Sequence, residues 1–142
     1  MRQPATKVSP GPKGWVALAG ILVLTGCQNT PPSADYLAYK SPQDADITAG
    51  RIAENVRACW FDGSRPTFAA YSYAPELNSH SNRPRVLIVP KDDPGGLPKL
   101  IIEASASGGG ANVKLFGPLM ATAEAPAISR DVAAWAGGRT GC

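Results

Sequence analysis

The 142-residue sequence contains one histidine, His80, and three cysteines. No carboxylate or thiol lies near His80 at the spacing of metal ligands, so we interpret it as a solvated loop residue. The sequence also lacks a nucleophile elbow of the Gly-x-Ser-x-Gly form, a Walker phosphate loop and an EF-hand loop. It therefore predicts no catalytic residue, no metal ligand and no cofactor, and we expect a protein that is not an enzyme.

The sequence also lacks an excess of positive or negative charge from Cys27 onward. The sequence has 14 Lys and Arg against 11 Asp and Glu. Three of the basic residues, Arg2, Lys7 and Lys13, precede Cys27, and no acidic residue does. From Cys27 onward the two signs are therefore equal in number. A nucleic-acid-binding domain needs a basic footprint, so we expect no nucleic-acid partner.

The longest apolar run is too short to cross a membrane. It extends from Trp15 to Leu24, which is ten residues, and even the uncharged stretch from Gly14 to Gly26 has only 13. A spanning helix needs about 17 to 25. Basic residues precede the run and small residues end it. This order of charged, apolar and small-residue regions is typical of a secretory signal.

The last residue of the run and the three that follow it are Leu24, Thr25, Gly26 and Cys27. This order of aliphatic, small, small and Cys resembles the lipobox of bacterial lipoproteins. The resemblance covers residues 1–27. It implies cleavage of the signal peptide 1–26, fatty acylation (palmitate) at Cys27 and attachment to a membrane of the cell envelope. An ordinary secretory signal with a chance cysteine is the alternative. In the sorting pattern of enterobacterial lipoproteins, an Asp after the lipidated cysteine favours retention in the inner membrane. Gln28 stands at that position, so the resemblance favours the periplasmic side of the outer membrane.

Residues 27–43 are predicted to form the lipidated cysteine and a tether, since Pro31, Pro32 and Pro42 stand among polar residues. Three hydrophobic side chains interrupt this composition: Tyr36, Leu37 and Tyr39. They either pack back onto the domain, which we favour, or contact a partner. Residues 44–142 are predicted to form a single small domain.

Apolar periodicity predicts two helices in this domain. One begins at Asp44 or Asp46 and ends near Trp60. Its apolar face is formed by Ala45, Ala49, Ile52, Val56, Cys59 and Trp60. Its opposite side carries Arg51, Glu54, Asn55 and Arg57. The other helix begins near Pro126, a residue suited to a first turn, and its apolar face is formed by Ile128, Val132, Trp135 and Ala136.

Four segments between the helices have the composition or the alternation of strands: Thr67–Ala74, Arg85–Val89, Lys99–Ser107 and Asn112–Phe116. Residues 108–111, rich in glycine, join the last two as a hairpin turn. The predicted fold class is α+β, a small antiparallel sheet of about four strands with an N-terminal and a C-terminal helix packed on it.

Cys59 and Cys142 remain once Cys27 carries lipid. Paired cysteines of exported proteins usually form disulfides because their compartment is oxidising. We therefore predict a Cys59–Cys142 disulfide, which would pin the last residue of the chain. Two free thiols are the alternative.

These features favour a membrane-anchored envelope lipoprotein whose role is protein contact or assembly, with another envelope protein as partner. Tyr71 and Tyr73, on one face of the first predicted strand, are the candidate partner surface, although burial in the core is equally compatible with the sequence. The alternative function is a periplasmic module that binds a small or lipidic ligand between the sheet and the helices.

Overall fold

Alternation of apolar and polar residues along the strands builds the core of this protein on one side of a sheet. The computed structural model describes residues 36–142. Five strands form one antiparallel sheet in the order β1-β5-β4-β3-β2. In chain order the strands and α-helices are β1 Leu37–Ser41, α1 Ala45–Asn55, β2 Tyr71–Glu76, β3 Arg85–Pro90, β4 Leu100–Ser107, β5 Gly110–Phe116 and α2 Ala125–Ala136. The predicted α+β class is confirmed, with five strands instead of about four.

The additional strand lies in the segment that the sequence predicts to be a tether. Leu37 pairs opposite Leu115, and Ser41 opposite Ala111. Ser41 is buried, and its hydroxyl shares a hydrogen bond of 2.7 Å with that of Thr48. The domain therefore includes β1, and the predicted boundary at residue 44 is wrong. Composition does not reveal this strand because its pairing with β5 is a tertiary contact.

Residues 1–35 lie outside the described part of the chain. The predicted signal peptide, Cys27 and most of the predicted tether are among them, so the fold described below concerns the domain alone.

Helix α1 does not end as a regular α-helix. It continues into a π-helical segment, Val56–Asp62, and Gly63 donates its N–H to the carbonyl oxygen of Ala58 at 2.9 Å. The helical segment therefore ends at Asp62, close to the predicted end near Trp60. Val56 and Trp60 are fully buried, and Cys59 packs at the margin of the core.

Asn55 is buried, so the prediction that it lies on the solvent side of the helix is wrong. Its side-chain amide donates to the carbonyl oxygen of Arg51 at 2.8 Å, and its oxygen accepts the N–H of Gly141 at 2.6 Å. The C-terminal residues that cover Asn55 are distant in sequence. Helical periodicity alone could not reveal them.

The starts of two strands differ from the sequence prediction by two or more residues. The first part of the predicted strand Thr67–Ala74 is a 3₁₀ turn, Pro66–Phe68, and β2 begins only at Tyr71. The last hairpin turn contains only Gly108 and Gly109, because β5 begins at Gly110. Gly109 has a φ of +94°, a conformation that favours glycine in a tight hairpin.

Both α-helices pack on the same face of the sheet. The residues of β3, β4 and β5 that face them are almost fully buried: Val86, Ile88, Leu100, Ile102, Ala104, Ala111, Val113 and Leu115. The predicted apolar face of α2 is buried against them. The other face of the sheet carries neither α1 nor α2.

Candidate functional site

The predicted cysteine pair comes together at the C-terminus. Cys59 and Cys142 lie at disulfide distance, with Cα atoms 5.4 Å apart across 83 positions of sequence. Two further contacts hold the same tail. Trp135 Nε1 donates to the carbonyl oxygen of Gly141 at 3.1 Å, and the N–H of Gly141 bonds to Asn55. The Cys59–Cys142 pair and these two hydrogen bonds together attach Gly141 and Cys142 to the first helix with its π-helical extension and to α2.

Tyr71 and Tyr73 lie on edge strand β2, on the face that the helices cover. Both side chains are half-buried and pack against the core. The ring of Tyr73 is tilted against that of Phe61, with centroids 5.2 Å apart. The structure thus places both tyrosines at the margin of the core. Their contact with a partner stays a prediction.

Among residues 36–142, no strand pairs with the outer edge of β2, so its outward backbone groups are unpaired within this part of the chain. Tyr71 lies opposite Pro90 on β3, so the preceding residue Ala70 lies opposite Lys91. Lys91 donates its N–H to the carbonyl oxygen of Ala70 at 3.0 Å, which makes Ala70 and Lys91 a hydrogen-bonded pair. Hydrogen-bonded and non-bonded pairs alternate along antiparallel strands. The backbone groups of Tyr71 and Tyr73 therefore point away from β3. Pro75 shares this orientation but has no N–H, which limits the free edge to a short stretch.

A polar network next to this edge ties the π-helical segment to α2. Asp131 Oδ2 accepts the indole N–H of Trp60 at 2.9 Å and a guanidinium N–H of Arg65 at 2.6 Å. Arg65 also lies over the ring of Phe68, 5.6 Å from its centroid, and 3.8 Å from Glu124. Sequence reasoning missed Asp131, since its partners lie more than sixty positions away and no local pattern marks them.

Throughout residues 36–142, every buried side-chain nitrogen or oxygen has a hydrogen-bond partner. The same residues include no group of three or more His, Cys, Asp and Glu placed to hold a metal ion. His80 is exposed in the loop between β2 and β3, where its neighbours Ser79 and Ser81 bond to each other at 2.7 Å.

An apolar groove of about 900 Å³ lies where β1 and β5 meet the start of α2. Its walls include Leu37, Leu115, Phe116, Met120 and Pro126. Pockets of this size and lining are typical of sites for small apolar ligands. The sequence carries little signal for such a site, because the groove combines side chains from four separate segments.

No helix in the described part of the chain combines the length and the hydropathy needed to cross a membrane. No family model matches this chain, and no curated protein or solved structure matches it either.

Proposed function

We propose that this protein is a lipid-anchored component of the bacterial cell envelope whose domain works through protein contact and not through catalysis. The observation that carries the contact role is the free backbone edge at Tyr71 and Tyr73 on β2. The lipobox at Cys27 supports the anchor. Proximity of Cys59 and Cys142 supports an oxidising compartment, because disulfides persist there. The outer membrane, facing the periplasm, is the favoured location.

The edge suits recognition of an extended segment of an envelope protein. An added strand would pair with the N–H and C=O groups of Tyr71 and Tyr73, the mode called β-augmentation. The half-buried tyrosine rings would flank that strand on the helical side of the sheet. Pro75 would end the added ladder, so the recognised segment is short.

Two variants of one residue test this edge. Tyr71→Pro removes both the side chain and the outward N–H, whereas Tyr71→Ala removes the side chain alone. Because the N–H of Tyr71 points away from β3, neither change breaks the β2–β3 ladder. The full-length lipidated variants are cross-linked in membranes and purified. We expect Tyr71→Pro to lose a partner that Tyr71→Ala retains at least in part. Equal recovery of the partner with Tyr71→Pro and wild type would contradict recognition through this edge.

The groove at the start of α2 favours a second candidate function, binding of a small or lipidic ligand. Met120→Trp would fill the groove, and Leu97→Trp, at a residue that is 84% exposed, is the matched control. Native mass spectrometry of the detergent-extracted protein should then show a bound molecule on wild type and Leu97→Trp but not on Met120→Trp. A bare protein mass in all three would dismiss this function.

A further inference from the structure

The face of the sheet opposite the helices, here called the open face, carries a row of alternating charge. Glu76 pairs opposite Arg85, Arg85 opposite Glu103, and Glu103 opposite Lys114. From β2 to β5 the signs therefore run negative, positive, negative, positive. Within the chain, Arg85 forms an ion pair with Glu76 at 2.6 Å. Glu103, whose side chain is only 14% exposed, lies 3.9 Å from the guanidinium of Arg83.

A second row on the open face, one pleat away, is apolar. Ala74 pairs opposite Leu87, Leu87 opposite Ile101, and Ile101 opposite Phe116. All four side chains are half-buried. Each keeps accessible surface, because neither α1 nor α2 packs on this face. A continuous apolar row that keeps accessible surface on the face of a sheet can serve as an interaction surface.

When the charged row is read from β5 to β2, each charge has the opposite sign to the charge at the same place in the row read from β2 to β5. A two-fold axis parallel to the strands, midway between β3 and β4, sets Glu76 against Lys114 of a second copy. The same operation sets Arg85 against Glu103 of that copy. An isologous interface requires such self-complementarity, in which residue i meets j and j meets i. The charge pattern therefore fits a second copy of this chain.

Under the same two-fold axis, the side chains of the apolar row are also complementary in size. The axis sets the small Ala74 against the large Phe116, and Leu87 against Ile101. The alternative two-fold axis also lies in the interface plane but runs perpendicular to the strands, along the charged row. It would set Glu76 against Glu76 of the second copy, and Arg85 against Arg85. Like charges in direct opposition are destabilising. The residues therefore select the axis that is parallel to the strands.

We propose that this protein forms a symmetric homodimer through the open face, with the two sheets packed face to face and the helices outside. Aligned sheets cross at about 30°, so the central residues Arg85, Leu87, Ile101 and Glu103 lie nearest to their counterparts. The covered area is small. Four or five strands at about 4.8 Å spacing and about 20 Å length give on the order of 900 Å² in total, which is the class of weak interfaces.

Attachment to a membrane suits such a weak dimer, and this point rests on the proposed lipid anchor. The chosen axis leaves both copies of β1 running in the same direction, so both copies of Tyr36 lie at one end of the dimer. Eight residues separate Tyr36 from Cys27, and the nine steps from one Cα atom to the next reach at most about 30 Å when extended. Two anchors can therefore enter one membrane, and confinement there raises the effective concentration of the two faces.

Site-specific cross-linking in membranes tests the geometry. Full-length lipidated protein carries the photo-reactive residue p-benzoylphenylalanine in place of Leu87. The matched control carries it in place of Ile47, which is 55% exposed on α1. We expect a covalent dimer from position 87, cross-linked near Ile101 of the second copy, and none from position 47. A cross-link to a different protein, or no cross-link from position 87, would overturn the proposal.

Charge exchange provides an independent readout. In Arg85→Glu or Glu103→Lys alone, like charges meet across the axis, and the dimer yield should fall about tenfold. In a mixture of the two variants, the native Arg85 of one copy meets the native Glu103 of the other. The introduced carboxylate at position 85 likewise meets the introduced ammonium group at position 103, so mixed dimers should form. The more exposed exchange Glu76→Lys with Lys114→Glu serves if the first pair does not fold. Failure of both mixtures to restore dimers would refute the axis.

The two proposals fail separately. Loss of lipid from Cys27 would undo the proposed anchor, while position 87 would still cross-link at high protein concentration. A lipidated protein that stays monomeric in vesicles at high surface density would undo the homodimer and leave the anchor intact.

Discussion

Asp131 shows at the scale of one residue how a carboxylate stabilises this domain. Its Oδ2 accepts hydrogen bonds from the indole of Trp60 and the guanidinium of Arg65. Asp131→Ala leaves the N–H of Trp60 without its acceptor inside the core. We expect a loss of about 1–3 kcal/mol in the free energy of unfolding, measured by denaturant titration.

Glu124→Ala is the matched control for Asp131→Ala. Glu124 accepts a bond from Thr67 and lies 3.8 Å from Arg65, and its side chain is 44% exposed. Because water replaces such contacts readily, its removal should cost less than about 1 kcal/mol, on the order of a surface ion pair. An equal loss in both variants would contradict the role given to the indole bond.

Cys142 is the residue through which the tail is held. Cys142→Ala removes the bridge to Cys59, and for a closed segment of this length the chain-entropy estimate is roughly 4 kcal/mol, with smaller values common. The melting temperature should fall, and lipid attachment should be unchanged. Arg139→Ala, which removes only a hydrogen bond to the carbonyl oxygen of Cys142, should have little effect. Two alkylatable thiols in the unreduced, denatured mature protein would contradict the disulfide.

Strand β1 depends on the absence of a side chain at Gly110. A Cβ at this position would overlap the carbonyl oxygen of Ser41 at the end of β1. Gly110→Ala should therefore push β1 from β5 and cost about 1–3 kcal/mol. Amide hydrogen exchange of residues 37–41 should become faster, while β3 and β4 stay protected.

Gly108→Ala is the control for this strand, because a Cβ there meets nothing within 4 Å. Its exchange pattern and stability should match those of wild type. Unchanged protection of residues 37–41 in Gly110→Ala would mean that β1 accommodates the methyl group without leaving the sheet.

The elements that could be predicted from the sequence are those with a local signal. The faces of both helices follow from i, i+4 and i+7 spacing, and Ile52, Val132 and Trp135 are buried as that spacing predicts. Strand β1 and the burial of Asn55 depend on distant partners, so local patterns do not reveal them. The pairing of Cys59 with Cys142 could be anticipated only because few cysteines are available.

The candidate interaction surfaces are less accessible to sequence reasoning than the fold. Tyr71 and Tyr73 can be identified as candidates, but their place on an edge strand depends on the order of all five strands. The rows of the open face appear only when the registers of three strand pairs are known. The residues whose charges alternate from Glu76 to Lys114 are ordinary surface residues, and no sequence motif marks them.

For the whole molecule, the proposed anchor at Cys27 would decide where the domain works and at what local concentration. Cys27→Ser removes the thiol that would accept the diacylglycerol. We expect loss of lipid labelling and accumulation of a precursor that retains residues 1–26, because lipoprotein signal cleavage requires the modified cysteine. Intact mass measurement and fatty-acid labelling check both results. A wild-type protein that keeps its signal and an unmodified Cys27 would contradict the anchor.

The anchor and the proposed dimer should also be linked in one measurement. A version secreted through an ordinary signal peptide, with the Cys27→Ser change, leaves the open face unchanged but frees the domain from the membrane. A weak interface of this size class dissociates on dilution, so its cross-linked dimer yield from position 87 should fall well below that of the lipidated protein at equal copy number. Concentrating the free domain should restore the yield, since only the effective concentration has changed. A free domain that cross-links as well as the anchored one at low concentration would mean that the interface is strong by itself and needs no membrane.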